Sequence, residues 1–257
     1  MRLRLVALGG AVALSLAGGS VQAAGWVVTV GGRLSASPPY EGADHDIIGP
    51  APVFSLRRAD SPDRFEPPDG GSTLALFSTR YIAAGPMARI RYARGDSGKL
   101  TGMNKIDIAI EPGAFVNLWP TNWLRLRAEG RRGLIGHHGW LGDAGADLIY
   151  TGSRWSASLG PRVGYGDHRY MDTYFGVTPV EAARSPLLST AYDPSGNLRY
   201  MGVEAAVSYR LTGGLRTQFD VGYHRMSESV ARSPIVQVAG SRDQISAGVG
   251  VTYRFGG

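Results

Sequence analysis

The chain contains no cysteine. A disulfide framework, a thiolate nucleophile and a cysteine-ligated zinc site are therefore excluded. After residue 23 it also lacks any apolar run near the roughly 20 residues that a transmembrane helix requires. No Gly-x-Ser-x-Gly elbow is present, and His137, His138, His168 and His224 stand in no recognisable catalytic motif. Asp167-His168 is the least ordinary of these, because an acid can orient an imidazole toward a nucleophile; a surface-loop histidine is the simpler reading. Asp44-His45-Asp46 has the residue types of a small metal site, but such loop triplets are usually solvated. The formal charge is +6, yet Arg57-Arg58 and Arg131-Arg132 are isolated pairs rather than a basic cluster. Nucleic acid is not an expected partner, and no cofactor is implied.

What the chain has is an export signal, much glycine and a two-residue rhythm. Arg2 and Arg4 precede an apolar stretch over residues 5–17, and Val21-Gln22-Ala23 is a small-residue cleavage site. Residues 1–23 are read as a signal peptide, which leaves 24–257 as one domain. The 37 glycines suit turns and strongly curved strands. Residues 246–255 carry Ala247, Val249, Val251, Tyr253 and Phe255 in one register and Ser246, Gly248, Gly250, Thr252 and Arg254 in the other. A period of two marks a strand with one apolar and one polar face. Some ten residues suffice to cross a bilayer at a tilt. This reads as the closing strand of an outer-membrane barrel, with Tyr253 and Phe255 as the signal for the barrel-assembly machinery, although Gly256-Gly257 follow the aromatic. A soluble sandwich strand has the same local pattern.

The rhythm recurs along the chain. Residues 26–34 predict a first strand, and Pro38-Pro39 ends it. Residues 52–56 predict a weaker one, and 59–72 a loop. Strands are predicted over 73–82 and 87–94, with Gly85-Pro86 as a turn between them. Residues 105–118 alternate longest, with Pro112 predicting a bulge or a local edge. Trp119 and Trp123 flank a tight turn and suit an interface belt. Further strands are predicted near 124–129, 143–150, 154–165, 201–209 and 215–224. Residues 170–177 are read as an aromatic-rich strand, 178–197 as a long polar connection, and 227–243 as a second one with a partial strand at 235–238. The sum is an all-β, antiparallel, up-and-down transmembrane barrel of about 12 strands, with 10 as the alternative.

The polar faces carry both signs. Arg89, Arg91, Arg125 and Arg127 stand against Asp107, Glu111, Glu129 and Glu204, with more of each elsewhere. Inside a barrel such charges either pair to fill and stiffen the lumen or line a solute path. The mixing of signs favours the first.

Several stretches together resemble one family. Pro39-Tyr40-Glu41-Gly42 follows the first strand. Tyr174-Phe175-Gly176-Val177-Thr178 is trailed by Glu181-Ala182-Ala183-Arg184-Ser185 and Tyr192. Ser233-Pro234-Ile235-Val236 and Tyr253-Arg254-Phe255 come near the end. The chain resembles the MipA/OmpV family of outer-membrane proteins, the MltA-interacting proteins. That resemblance implies a non-enzymatic barrel in the outer-membrane lipid. It also implies a scaffold joining a murein lytic transglycosylase, a murein hydrolase, to a penicillin-binding protein that synthesises murein. It carries over no catalytic residue. Tyr174, Phe175, Gly176, Val177, Arg184, Ser185 and Tyr192 become candidates for partner contact or for a plug. A narrow, anion-favouring channel and an outer-membrane acylhydrolase are the competing readings.

Overall fold

The computed structural model describes residues 25–68 and 71–256; the segment read as a signal peptide lies outside the described residues. The strands are β1 (Trp26–Ser37), β2 (Ile47–Arg58), β3 (Ser72–Leu74), β4 (Phe77–Ser78), β5 (Ile82–Arg91), β6 (Ala109–Thr121), β7 (Leu124–Arg132), β8 (Trp140–Thr151), β9 (Trp155–Gly166), β10 (Asn197–Arg210), β11 (Leu215–Met226) and β12 (Asp243–Phe255). Among the described residues four short α-helices lie in the connections, α1 (His168–Phe175), α2 (Pro179–Arg184), α3 (Glu228–Ala231) and α4 (Pro234–Ala239), with a single 3-10 turn at Gly98–Leu100. From β5 to β12 each strand pairs antiparallel with its neighbour in sequence, and β12 pairs with β1 from Val28↔Phe255 to Ala36↔Ala247. Short β3 closes the ring, parallel to β2 and antiparallel to β5. The result is an 11-strand barrel, with β4 as an extra strand laid on β5.

The pattern of burial is inverted relative to a soluble protein. Along β12, Ile245, Val249, Val251 and Tyr253 are exposed while Gln244, Gly248, Gly250 and Thr252 are buried. Around the barrel Leu34, Phe54, Ile90, Leu126, Leu148, Leu159, Met201 and Phe219 point outward. Glu111, Asn117, Arg125 and Asp147 are fully enclosed. Such an apolar outside is stable only against lipid. Two aromatic girdles bound it. Tyr81, Trp123, Tyr150, Trp155 and Tyr253 ring the end that carries the short turns at 122–123, 152–154 and 211–214. Tyr92, Trp140, Tyr165 and Tyr223 ring the end that carries the long loops. Strand lengths of 12 residues, as in β1, β8 and β9, match the bilayer core. Short turns face the periplasm in such barrels and long loops the outside.

Prolines sit where the ladder allows them. Pro50 and Pro52 lie within β2, a full strand rather than the weak one expected, because β2 pairs with β3 only at Ser55 and Leu56 and is otherwise an edge. Gly85-Pro86 is not a turn but the middle of β5. Pro86 falls between the β4 and β3 pairings, and a Cβ at Gly85 would stand 1.9 Å from the Leu74 carbonyl oxygen. The strand expected over 73–82 is only the two fragments β3 and β4. Pro112 faces Ala88, while pairing with β7 starts at Gly113, so it is a local edge. Trp123 lies in the girdle, but Trp119 turns inward and is 3% exposed.

Two expectations fail outright. Residues 170–177 are not a strand, because Tyr170, Met171, Tyr174 and Phe175 recur at helical spacing behind an Asp167 cap. The partial strand at 235–238 is α4, which starts on Ser233-Pro234.

Candidate functional site: a filled and capped lumen

The loop end of the barrel is stoppered by α1. The Asp167 side chain accepts from the Tyr170 N–H at 2.9 Å and starts the helix. Tyr170, Met171, Tyr174 and Phe175 have no exposure at all and pack with Ile106, Leu141, Met226, Val230 and Val236. Each such burial contributes about 1.5–3 kcal/mol. Burial pushes the Tyr174 hydroxyl up to about 12 and the Tyr170 hydroxyl well above its ordinary value, so both stay neutral. A second apolar cluster above α1 joins Tyr40, Leu100, Met103, Val177, Leu188 and Ile235.

The other family-motif residues lock this cap. Gly176 ends α1, and a Cβ there would lie 2.4 Å from the Asp172 carbonyl oxygen. Val177 bridges Tyr192, whose hydroxyl donates to the Ser229 carbonyl at 2.6 Å. Thr178 and Glu181 form a reciprocal capping box at α2, and Glu181 also accepts from the Asn104 N–H at 2.8 Å. Arg184 is exposed and donates to Asn104 Oδ1 at 3.0 Å. The buried Ser185 hydroxyl accepts from the Leu188 N–H at 3.0 Å. Ser233 Oγ donates to the Phe175 carbonyl, and Arg94 to that of Tyr174, both at 2.6 Å. The inward element is thus α1, not the Ala182–Ser185 segment, which lies above it.

Below the cap the lumen is crossed by paired charge. Glu111 accepts from Arg91 Nε at 2.9 Å, binds Arg131, and lies 3.0 Å from His137 Nε2. Glu129 takes Arg127 at 2.8 Å, Arg89 at 2.7 Å and Arg131 at 3.1 Å. Arg199 joins Glu41 and Asp143. Asp147 holds Arg125 and Arg162, both at 2.7 Å. Glu204 meets Arg162 and His224, both at 3.3 Å. Asp107 is the exception among the expected lumen charges: it is exposed and precedes β6, because the strand starts only at Ala109.

His45, His137, His168 and His224 are bound to carboxylates or backbone, and His138 is exposed. His168 Nδ1 is 2.9 Å from the Pro194 carbonyl oxygen, and its neighbour Asp167 is engaged as a helix cap. Asp44 is shared between His45 and Lys99. Among the described residues no group of three His, Asp or Glu converges as a metal site.

The short-turn end holds what sequence reading missed. Residues 61–68, read as a plain loop, fold back into the mouth of the barrel. Phe65 is buried against Ile149 and Ala206. Arg64 lies over the Trp119 ring at 4.4 Å. Asp63 accepts from Arg254 at 2.5 Å and lies 3.4 Å from Arg216 and 3.5 Å from Arg57. A cavity of about 220 Å³ runs beside this strap. A lone Phe65 between Pro62 and Pro67-Pro68 was the available signal.

An apolar exterior, two aromatic girdles and a charged interior define an outer-membrane β-barrel, and the outer membrane is its location. The chain belongs to the MipA family: the family model for the MltA-interacting protein MipA matches residues 30–255. No curated protein sequence matches it significantly. Similar solved barrels include the COG4313 outer-membrane channel of Pseudomonas putida F1, at 12% identity and TM-score 0.42 over 90% of this chain and 96% of that one. The translocator domain of the autotransporter NalP of Neisseria meningitidis has 11% identity and TM-score 0.40, over 90% and 88%. The outer-membrane protease OmpT of Escherichia coli has 10% identity and TM-score 0.34, over 90% and 97%.

Proposed function

We propose that this protein is a non-enzymatic scaffold that offers its periplasmic face to murein-modifying enzymes. The observation that carries the reading is the filled interior. Charge pairs cross the lumen and α1 fills its outer mouth, so what the barrel presents is surface. The family's name, MltA-interacting protein, points to an enzyme partner, and the family resemblance in the sequence implies its class: a lytic transglycosylase, with a penicillin-binding synthase beside it. A periplasmic partner reaches only the short-turn end, where Arg58, Arg80 and Arg154 stand beside the mouth. In this reading Tyr174, Phe175, Gly176, Val177, Arg184, Ser185 and Tyr192 hold the cap, and Tyr253 and Phe255 address the assembly machinery.

The test is cross-linking recovery of the tagged protein from its own envelope. A lytic transglycosylase should be enriched, and the enrichment should vanish when the turns at 152–154 and 211–214 are replaced. A well-folded barrel that recovers no murein enzyme rejects the scaffold. The second reading, a narrow solute path, draws on the cavities of about 220 and 200 Å³ in the lumen. A stable open level in single-channel recording would favour it.

A further inference from the structure

The charge balance of the lumen changes abruptly along its axis. In the upper half Arg89, Arg91, Arg127, Arg131 and Arg199 face Glu41, Glu111, Glu129 and Asp143. In the middle Arg125 and Arg162 face Asp147 and Glu204, and Arg33 faces Asp220. At the periplasmic mouth Arg57, Arg216 and Arg254 gather around Asp63, with Arg210 opposite Arg216. These arginines are not lipid anchors. They alternate with outward Phe54, Phe219 and Tyr253 and so point into the lumen.

Their arrangement is costly without an anion. Arg210 and Arg216 are directly opposite on β10 and β11, a pairing that repels. Arg210 Nε is shielded from water and has no hydrogen-bond partner among the described residues. Arg57 also donates to the Ser61 carbonyl at 2.8 Å, but the two oxygens of Asp63 cannot satisfy the guanidiniums of Arg216 and Arg254 as well as that of Arg57, and they leave Arg210 unserved. Arg57, Arg216 and Arg254 line the cavity of about 220 Å³, with Thr29, Ser55, Gln218 and Thr252 adding hydroxyls and an amide and the exposed Glu66 a second carboxylate. Asp63 itself sits on the strap, outside any strand, with its side chain 42% exposed.

We infer that this mouth is a binding site for a small di- or tricarboxylate, built by Arg57, Arg216 and Arg254 with Arg210 beside Arg216, in which Asp63 is an internal stand-in for the ligand's carboxylate. Guanidinium forks match carboxylates in bidentate geometry, and the surplus of charge selects an anion with more than one of them. The ligand enters from the periplasm, since α1 blocks the other end.

Isothermal titration of the full detergent-solubilised barrel with citrate tests this, at low and at high salt, with trimethyl citrate as the neutral control. Saturable citrate binding is expected, weakened by salt, with none for the ester. Arg216→Gln with Arg254→Gln should weaken it at least about tenfold. Asp63→Asn should tighten it several-fold by removing the competitor's charge. No saturable binding, or binding unchanged in the double variant, overturns the site. If the double variant does not fold, as judged by gel mobility before and after heating, the Asp63→Asn barrel decides alone. Unchanged or weaker binding there overturns the inference.

Discussion

Replacing Phe175 by alanine should open the cap and leave the barrel standing. Phe175 has no exposure and is packed among Tyr170, Met171 and Val236. Truncating a phenylalanine so enclosed costs about 3–5 kcal/mol, from lost burial plus the void left behind. The Ser233 hydroxyl still donates to the residue-175 carbonyl, because that bond is to backbone. The strand ladder does not include residue 175: β9 ends at Gly166 and β10 starts at Asn197. The loss therefore falls on the docking of α1, not on closure of the ring. At about 1.4 kcal/mol per decade, the open population of the cap rises by roughly two to three and a half powers of ten. Trypsin reads this through Arg169 and Arg184, both exposed but held on docked helices. When opening is fast relative to cleavage, the cutting rate follows the open population. At least a hundredfold faster cleavage within 167–196 is expected, with the heat-modifiable gel mobility of the folded barrel retained. Cleavage within about threefold of the parent rate, in a barrel so retained, would refute the docking account.

Two further outcomes test the interior. Glu111→Ala removes the carboxylate shared by Arg91, Arg131 and His137, although Arg91 keeps Glu41 and Arg131 keeps Glu129 and Asp143; a loss toward the lower end of about 3–5 kcal/mol is expected, read as a lowered urea midpoint in detergent, and a shift under about 1 kcal/mol would mean that water screens the lumen. The cap should also loosen in acid. Burial raises the Glu41 and Glu181 carboxyls, but Arg199 and Arg91 at the first, and the Asn104 and Thr178 N–H groups at the second, outweigh it and leave both below the ordinary 4.5. A carboxyl lowered on folding contributes stability that is complete above its unfolded value and fades as pH falls through its folded one. Amide exchange over 38–46 and 167–184, corrected for intrinsic rates, should therefore quicken below about pH 4. Equal protection at pH 3 and pH 6 would count against it.

The membrane-crossing strands were legible because their chemistry is local. A two-residue period needs only the neighbours on either side, and in β7 to β12 it placed Arg125, Arg127, Glu129 and Glu204 on the inner face, where they lie. The helices were legible too and were misread. Asp167, Thr178-Pro179 with Glu181, Ser227-Glu228 and Ser233-Pro234 are all helix starts. The alternation on either side of them drew residues 170–177 into a strand, although Tyr170, Met171, Tyr174 and Phe175 fit a period near four.

By itself the sequence determined the inverted barrel and the loop-end and turn-end polarity of its connections. Alternation, girdle aromatics and connection lengths are one-dimensional properties. The tertiary structure alone decided how the ring closes, with β3 as a three-residue wedge between β2 and β5, because closure depends on where two distant edges meet. It alone decided which carboxylate serves which arginine, since partners such as Glu41 and Arg199 are 158 positions apart. It alone turned an ordinary Pro-rich loop into a strap whose Asp63 sits among three arginines from β2, β11 and β12. Charges so far apart in the chain leave no periodic trace, and only the folded wall brings them within reach.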